Sequence, residues 1–262
     1  MTSRKKPAPK GDAPSDAPAR DKGEAAFLKS YDPTRYPRPS VAVDVVALSV
    51  RAGALHVPLI RRIEHPARGR FALPGGFVRI DESLDDAARR LLLGKAGLED
   101  VFLEQLYTFG DPTRDPRGRV ISVAYVALVD AARFTVRRVA DTTLARIHVP
   151  WAGETGGPVD VVDEEGNPLE LAFDHRSILG TAIRRLRGKL DYTPVGFQLL
   201  PPEFTLRELQ DVHETVRGEP VNKDSFRRKM LASGHLEATG AFERNVAYRP
   251  AELYRFVRRS AV

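Results

Sequence analysis

Cysteine is absent from all 262 residues, which excludes disulfides and thiolate metal sites outright. No apolar run approaches the roughly 20 residues needed to span a bilayer. The N-terminus carries Lys and Arg with no apolar stretch behind them, so it does not read as a secretory signal. A cytoplasmic protein is the expectation. What remains has the composition of a water-exposed folded chain, 42% hydrophobic and 29% charged. The length suits one large domain or two ordinary ones.

Charge is distributed unevenly. Residues 176–262 hold 16 Lys and Arg against 10 Asp and Glu, so the whole net charge of +6 resides in the last third. The remainder is neutral. Such asymmetry points to an anionic partner for the C-terminal part, against the plainer reading of a solvated basic surface.

Residues 1–24 are rich in Pro, Ala, Lys and Asp and carry too little apolar surface to offset the entropy of ordering, so a disordered tail is expected there. A linking segment with Tyr31, Pro33, Tyr36, Pro37 and Pro39 follows. VAVDVVALSV (41–50) reads as a strand, with 55–60 as its hairpin partner, and 120–129 is a second apolar strand. Between them Leu84, Ala87, Ala88, Leu91 and Leu92 recur at three to four residues, the buried face of a helix beginning near Ser83. These elements suit an α/β sandwich whose strands end near Val149–Pro150. Residues 160–170 read as a polar connection with a hairpin around Glu165, Gly166 and Asn167.

Gly76 to Leu98 reads GFVRIDESLDDAARRLLLGKAGL. Gly76, Glu82, Arg90, Leu92, Gly97 and Leu98 fall in register on G-x5-E-x7-R-E-U-x-E-E-x-G-U, where U is bulky and aliphatic. This segment resembles the box that defines the Nudix family. The resemblance implies three glutamates that hold divalent cations, and this chain has Leu91, Gly94 and Lys95 in their places. None of these side chains offers the oxygen that a hard cation requires. No catalytic residue, metal ligand or cofactor is therefore expected. The amine of Lys95 is a candidate to offset the charge of a bound diphosphate, against the plainer role of a solvated Lys at a helix C-terminus.

The C-terminal third has its own pattern. Thr205 and Glu208 form a capping-box pair ahead of Leu206, Leu209, Val212 and Val216, and Gly218 ends that helix. Asn222 caps a second helix with Phe226, Met230 and Leu231 as its core stripe and Lys223, Arg227, Arg228 and Lys229 on the other face. Two short helices, the second basic, match a helix-turn-helix whose second helix enters the major groove. Residues 236–239 and 246–248 read as a wing hairpin. An earlier helix, His175–Leu190, carries Ile178, Ala182, Ile183 and Leu186 on one face and joins the two halves.

Residues 102–126, the His175–Leu190 helix and the basic helix pair together resemble the NrtR family, Nudix-related transcriptional regulators of NAD metabolism. The likeness covers roughly residues 27–257. It implies an α/β/α Nudix sandwich over 25–172, then a linker helix and winged helix-turn-helix over 173–262. It further implies a repressor that binds operator DNA as a homodimer and senses ADP-ribose or a related NAD metabolite. Guanidinium groups match phosphate oxygens bidentately. Arg114, Arg117 and Arg119 in the loop DPTRDPRGR are therefore ligand candidates with Lys95, and Arg61, Arg62 and Arg70 are weaker ones. Internal pairing of that loop's acids and arginines is the alternative. For DNA the candidates are Asn222, Lys223, Ser225, Arg227, Arg228 and Lys229 on the second helix, Thr205 and Arg207 on the first, and Arg244 and Arg249 at the wing. Three other readings stay open: weak ADP-ribose hydrolysis through Glu82, Asp85 and Asp86; a sugar-responsive regulator of the same architecture; and a nucleotide-binding module whose basic domain meets another anionic surface.

Overall fold

The computed structural model describes residues 22–134, 141–190, 192–244 and 246–257. Most of the expected N-terminal tail lies outside them. Residues 22–24, counted with that tail, instead open helix α1 (Lys22–Ser30), because Glu24, Ala25 and Ala26 are helix-favouring. A 3-10 turn (Pro33–Arg35) follows, capped by Asp32, whose carboxylate accepts from the Thr34 amide at 2.9 Å. Among the described residues, those up to Arg38 form one compact unit and those from Pro39 onward another.

The second unit is built on β1 (Ser40–Arg51). Ala52 and Gly53, both at positive φ, turn the chain into β2 (Ala54–Arg61), the twist-matched geometry of a two-residue hairpin. Short β3 (Phe71–Ala72) and β4 (Gly75–Phe77) pair with β2 and β1. Helix α2 (Leu84–Ala96) comes next, capped by Ser83 and closed by Gly97 at φ +67°. Then follow β5 (Phe102–Phe109), β6 (Val120–Leu128), β7 (Thr142–His148) and β8 (Asp160–Val162). The strand order is β5-β6-β1-β2-β7-β8, with β1 and β6 parallel.

β1 is apolar on both faces because both are covered. Val43, Val45 and Ala47 pack against Ala87, Ala88, Leu91 and Leu92 of α2. Val46 and Leu48 face the opposite core with Ile178, Leu179 and Ile183 of α3 (His175–Lys189). This is the α/β/α sandwich expected. Its strands continue past Val149–Pro150, where the sequence reading ended them. β8 extends the sheet edge, and Leu171 bridges Phe71. Near Asp163 the expected turn exists, with Val162 bridging Pro168.

A 3-10 segment (Pro194–Leu199) leads into the winged helix: β9 (Glu203–Thr205), α4 (Leu206–Arg217), α5 (Lys223–Ala232), β10 (Leu236–Phe242) and β11 (Glu252–Phe256). The capping box of Thr205 and Glu208 is formed in both directions. The second wing strand is not 246–248 but 252–256. Pro250 lacks an amide for the ladder. Glu243 draws the preceding loop into itself, accepting from the Tyr248 hydroxyl at 3.1 Å and the Ala251 amide at 3.0 Å. One core cluster runs from Val46 and Leu48 through α3 to Phe197, Leu209, Val212, Phe226 and Tyr254, so both halves share buried apolar surface.

Candidate functional site

A cavity of about 420 Å³ opens beside the box segment. Gly75 and Gly76 form part of its wall, where an added side chain would crowd its neighbours. A Cβ on Gly75 would lie 2.1 Å from Asp44 Oδ1, and one on Gly76 would lie 2.9 Å from Leu91 Cδ2. Leu91, in a metal-glutamate position, is buried in the α2 core, and Gly94 faces open space. Of the three replacements only Lys95 reaches the cavity. The residue is exposed overall, and its ammonium donates to the Gly75 carbonyl. Burial holds that amine below the usual lysine range, and Arg62 and Arg90 add repulsion, while Asp44 opposes both.

Five expected ligand residues, Arg61, Arg62, Lys95, Arg114 and Arg117, line this one cavity. Two do not. Arg70 is exposed and reaches Glu170 at 3.3 Å, and Arg119 donates to the Gly110 carbonyl at 2.7 Å. The loop is also paired within itself: Arg117 grips Asp115 through Nε at 3.0 Å and Nη2 at 2.7 Å. That pairing raises the Arg117 guanidinium further and lowers the Asp115 carboxyl. Arg117 still presents a half-exposed guanidinium to the cavity, 5.2 Å from the Phe77 ring centroid. Arg62 lies 5.0 Å above Phe173, so two arginines and two aromatic rings form a cationic, stackable wall.

The floor holds residues that the sequence reading passed over. Asp44 is buried and accepts from Ser122 Oγ at 2.6 Å, with Arg114 Nη2 at 3.6 Å and His175 Nε2 at 3.7 Å. His175 Nδ1 accepts the Leu73 amide at 3.0 Å, which leaves the ring proton on Nε2, facing Asp44. An accepting Nδ1 makes the ring neutral, and burial pushes its pKa down against the pull of Asp44 and Asp174. Arg114, only 5% exposed, holds Asp174 bidentately at 2.9 and 2.7 Å. Burial works against its charge, and Asp174, Asp44 and Asp115 more than compensate. A lone Asp in the apolar run VAVDVVALSV was the available signal for this floor.

The acids proposed for hydrolysis are engaged elsewhere. Glu82 binds Arg90 through both oxygens and accepts the Arg79 amide, which holds its carboxyl near 2. Asp85 accepts from Tyr125 Oη at 2.6 Å, and Asp86 from Ser83 Oγ at 2.7 Å. None of the three lines the cavity.

A second cavity, about 660 Å³, lies between α4, α5 and the wing and gathers Arg207, Lys223, Arg227 and Arg249. All four are exposed. Asn222, Ser225 and Lys229 line a neighbouring groove with His213 and Arg217. Arg228 and Arg244 are exposed but line neither cavity. One expected contact needs correction. Thr205 is buried, its hydroxyl accepting the Glu208 amide, so it caps α4 and offers no face to a duplex. The Asn222 side chain accepts the Ser225 amide at 3.0 Å, so its oxygen caps α5. Arg207 is exposed but tethered to Asp211 at 2.8 Å.

Comparison with known proteins follows the same division. Residues 38–148 match the NUDIX domain and 196–256 the NrtR DNA-binding winged helix domain. The chain is 38% identical over 89% of its length to the "ADPR responsive transcriptional repressor NtrR" of Acinetobacter baylyi, covering 88% of that protein. It is 31% identical over 62% of its length, and 82% of the other chain, to an ADP-ribose pyrophosphatase of Methanocaldococcus jannaschii. Shewanella oneidensis NrtR crystallised with a 27mer DNA superposes with a TM-score of 0.68 at 32% identity, over 83% of this chain and 93% of that one. A MutT/nudix family protein from Enterococcus faecalis gives 0.72 at 26% identity, over 91% and 94%. The sandwich with its altered box, the basic helix pair and these relatives lead to one assignment: the chain belongs to the NrtR family, a Nudix domain joined to a C-terminal winged helix.

Proposed function

We propose that this protein is a transcriptional repressor that binds operator DNA through α5 and the wing and releases it in response to ADP-ribose or a close NAD metabolite. The observation that carries the reading is the cavity itself. It brings Arg62, Lys95, Arg114 and Arg117 together beside two aromatic rings, the chemistry of a diphosphate attached to a base. The Acinetobacter relative, an ADPR responsive repressor by name, supports the effector, and the Shewanella complex supports the DNA. Lys95 supplies positive charge where hydrolases of this family place a metal ligand, so the ligand is held and not split. The basic face of α5 attracts phosphate and orients the helix in the major groove. A homodimer on a two-fold symmetric operator fits this use. No helix among the described residues is long and apolar enough to cross a membrane.

The test uses a duplex selected by the protein from a randomised pool. Titrating ADP-ribose into that complex should release the DNA. Undiminished binding at saturating ADP-ribose would overturn the effector assignment, and release by a sugar phosphate in its place would redirect it. Incubation with ADP-ribose and Mg²⁺ should yield no AMP. Sustained AMP production would return the domain to the hydrolases.

A further inference from the structure

Asp174 stands at the N-cap of α3, where an aspartate ordinarily accepts from the first amides of its own helix. Here its side chain makes no such bond. Both carboxylate oxygens are taken by Arg114, which reaches across 60 residues of sequence and lines the cavity. A guanidinium in that position is also the group a phosphate would recruit. The residues on either side belong to the cavity too. Phe173 is held at φ +54°, a conformation costly for a non-glycine residue, and its ring stands in the cavity wall beneath Arg62. His175 fixes the Leu73 amide on the other side. Three consecutive residues therefore join the cavity to the first turn of α3.

The far end of α3 is fastened to the DNA-binding half. Arg187 is buried and donates through Nε to the Val216 carbonyl of α4 at 2.7 Å. Its Nη1 donates to the Trp151 and Gly153 carbonyls at 3.2 and 2.8 Å, and its guanidinium lies 4.7 Å over the Trp151 ring. α4 is the first helix of the helix-turn-helix. One packed helix thus has its N-terminus in the ligand cavity and its C-terminus bonded to the DNA-binding unit.

We propose that Asp174 is the residue that couples the two halves: a phosphate in the cavity takes Arg114 from Asp174, the released carboxylate turns to cap α3, and α3 carries the change to α4 through Arg187. This rests on reading the cavity as the site of a phosphate-bearing effector. Two discrete partners for one carboxylate provide the two-state element that coupling between distant sites requires. Asp174 occupies the Nε–Nη2 edge of Arg114, so a ligand phosphate that takes this bidentate edge displaces it and the two compete.

Asp174→Asn in the full chain tests it. Asn still caps helices well but offers Arg114 no ion pair. ADP-ribose, measured by calorimetry, should then bind about fivefold more tightly or better. The ratio of DNA dissociation constants with and without ADP-ribose should fall toward one, removing a coupling of the usual 5- to 150-fold size. A bridge that serves only structure predicts the opposite sign, weaker ligand binding, and that result or an unchanged coupling ratio overturns the proposal. Hydrogen exchange on the wild-type protein decides it even where the variant does not fold. ADP-ribose should change protection at the first turn of α3 and the last turn of α4. Unchanged protection at both, in a protein that still releases DNA, overturns it. A wild-type protein whose DNA binding ignores ADP-ribose sinks the effector reading itself, a result distinct from either of these.

Discussion

The two cationic regions of this molecule are built on opposite principles. Around the Nudix cavity the arginines are held in place before any ligand arrives: Arg114 by Asp174, Arg117 by Asp115, and Arg62 by the Pro66 carbonyl at 2.8 Å. On α5 and the wing, Lys223, Arg227, Arg228, Arg244 and Arg249 stand on the surface, exposed. A partly buried charge is costly unless paired, so the cavity fixes its cations at the expense of reach. An exposed charge costs little and acts over a Debye length, which suits steering toward a polyanion. The first arrangement selects one small molecule by geometry, and the second draws in a long one by field.

That contrast can be broken or sharpened at several points. The largest effect should come from Leu209→Ala, which truncates a fully buried side chain in the core common to both halves. A loss of about 2–5 kcal/mol is expected. Because that core is continuous, ADP-ribose binding and DNA binding should be lost in a single denaturant transition. Two separate transitions would show the halves to be energetically independent.

Next, Arg227→Ala combined with Arg228→Ala should weaken DNA binding while leaving ADP-ribose affinity as it was. If both residues contact phosphate, the slope of log K against log salt should fall by about 1.8. An unchanged slope would assign them to base edges or to solvent. Lys95→Ala should do the converse. Loss of one charge-assisted contact, worth about 1.5–3 kcal/mol, should raise the ADP-ribose dissociation constant roughly 10- to 150-fold with DNA affinity retained. An unchanged constant would reduce Lys95 to a helix-end lysine.

The smallest effect concerns pH. Glu82 is held near 2 by Arg90, below its ordinary 4.5. Its contribution is therefore complete above about pH 4.5 and disappears as pH falls toward 2. In Arg90→Gln, a carboxyl titration followed by NMR should return Glu82 toward its ordinary value with a modest fall in melting temperature, because the pair is partly buried. A wild-type Glu82 that already titrates near 4.5 would mean that the pair does not form in solution.

Much of this was legible in one dimension because it depends on local spacing. The apolar period placed α2 within a residue or two, the capping box and Gly218 placed α4, and the altered box named Leu91, Gly94 and Lys95. β7 was missed because only Ala145 and Ile147 of TTLARIH are buried, too weak an alternation to stand out. The late wing strand was misplaced because the Glu243 bonds that order 248–251 link residues that propensity does not connect. Arg70 and Arg119 were grouped with the cavity by composition, yet their neighbours turn them away.

By itself the sequence determined the class of each half: periodicity, caps and a box register are properties of neighbouring residues, and they survive without coordinates. Only the tertiary structure decided which charges meet. Asp44, Arg114, Asp174 and His175 are separated by up to 131 positions, and the α/β/α packing draws them to one floor at the start of α3. The physical reason is that a buried charge must find its partner in space, and no local pattern records where that partner lies in the chain.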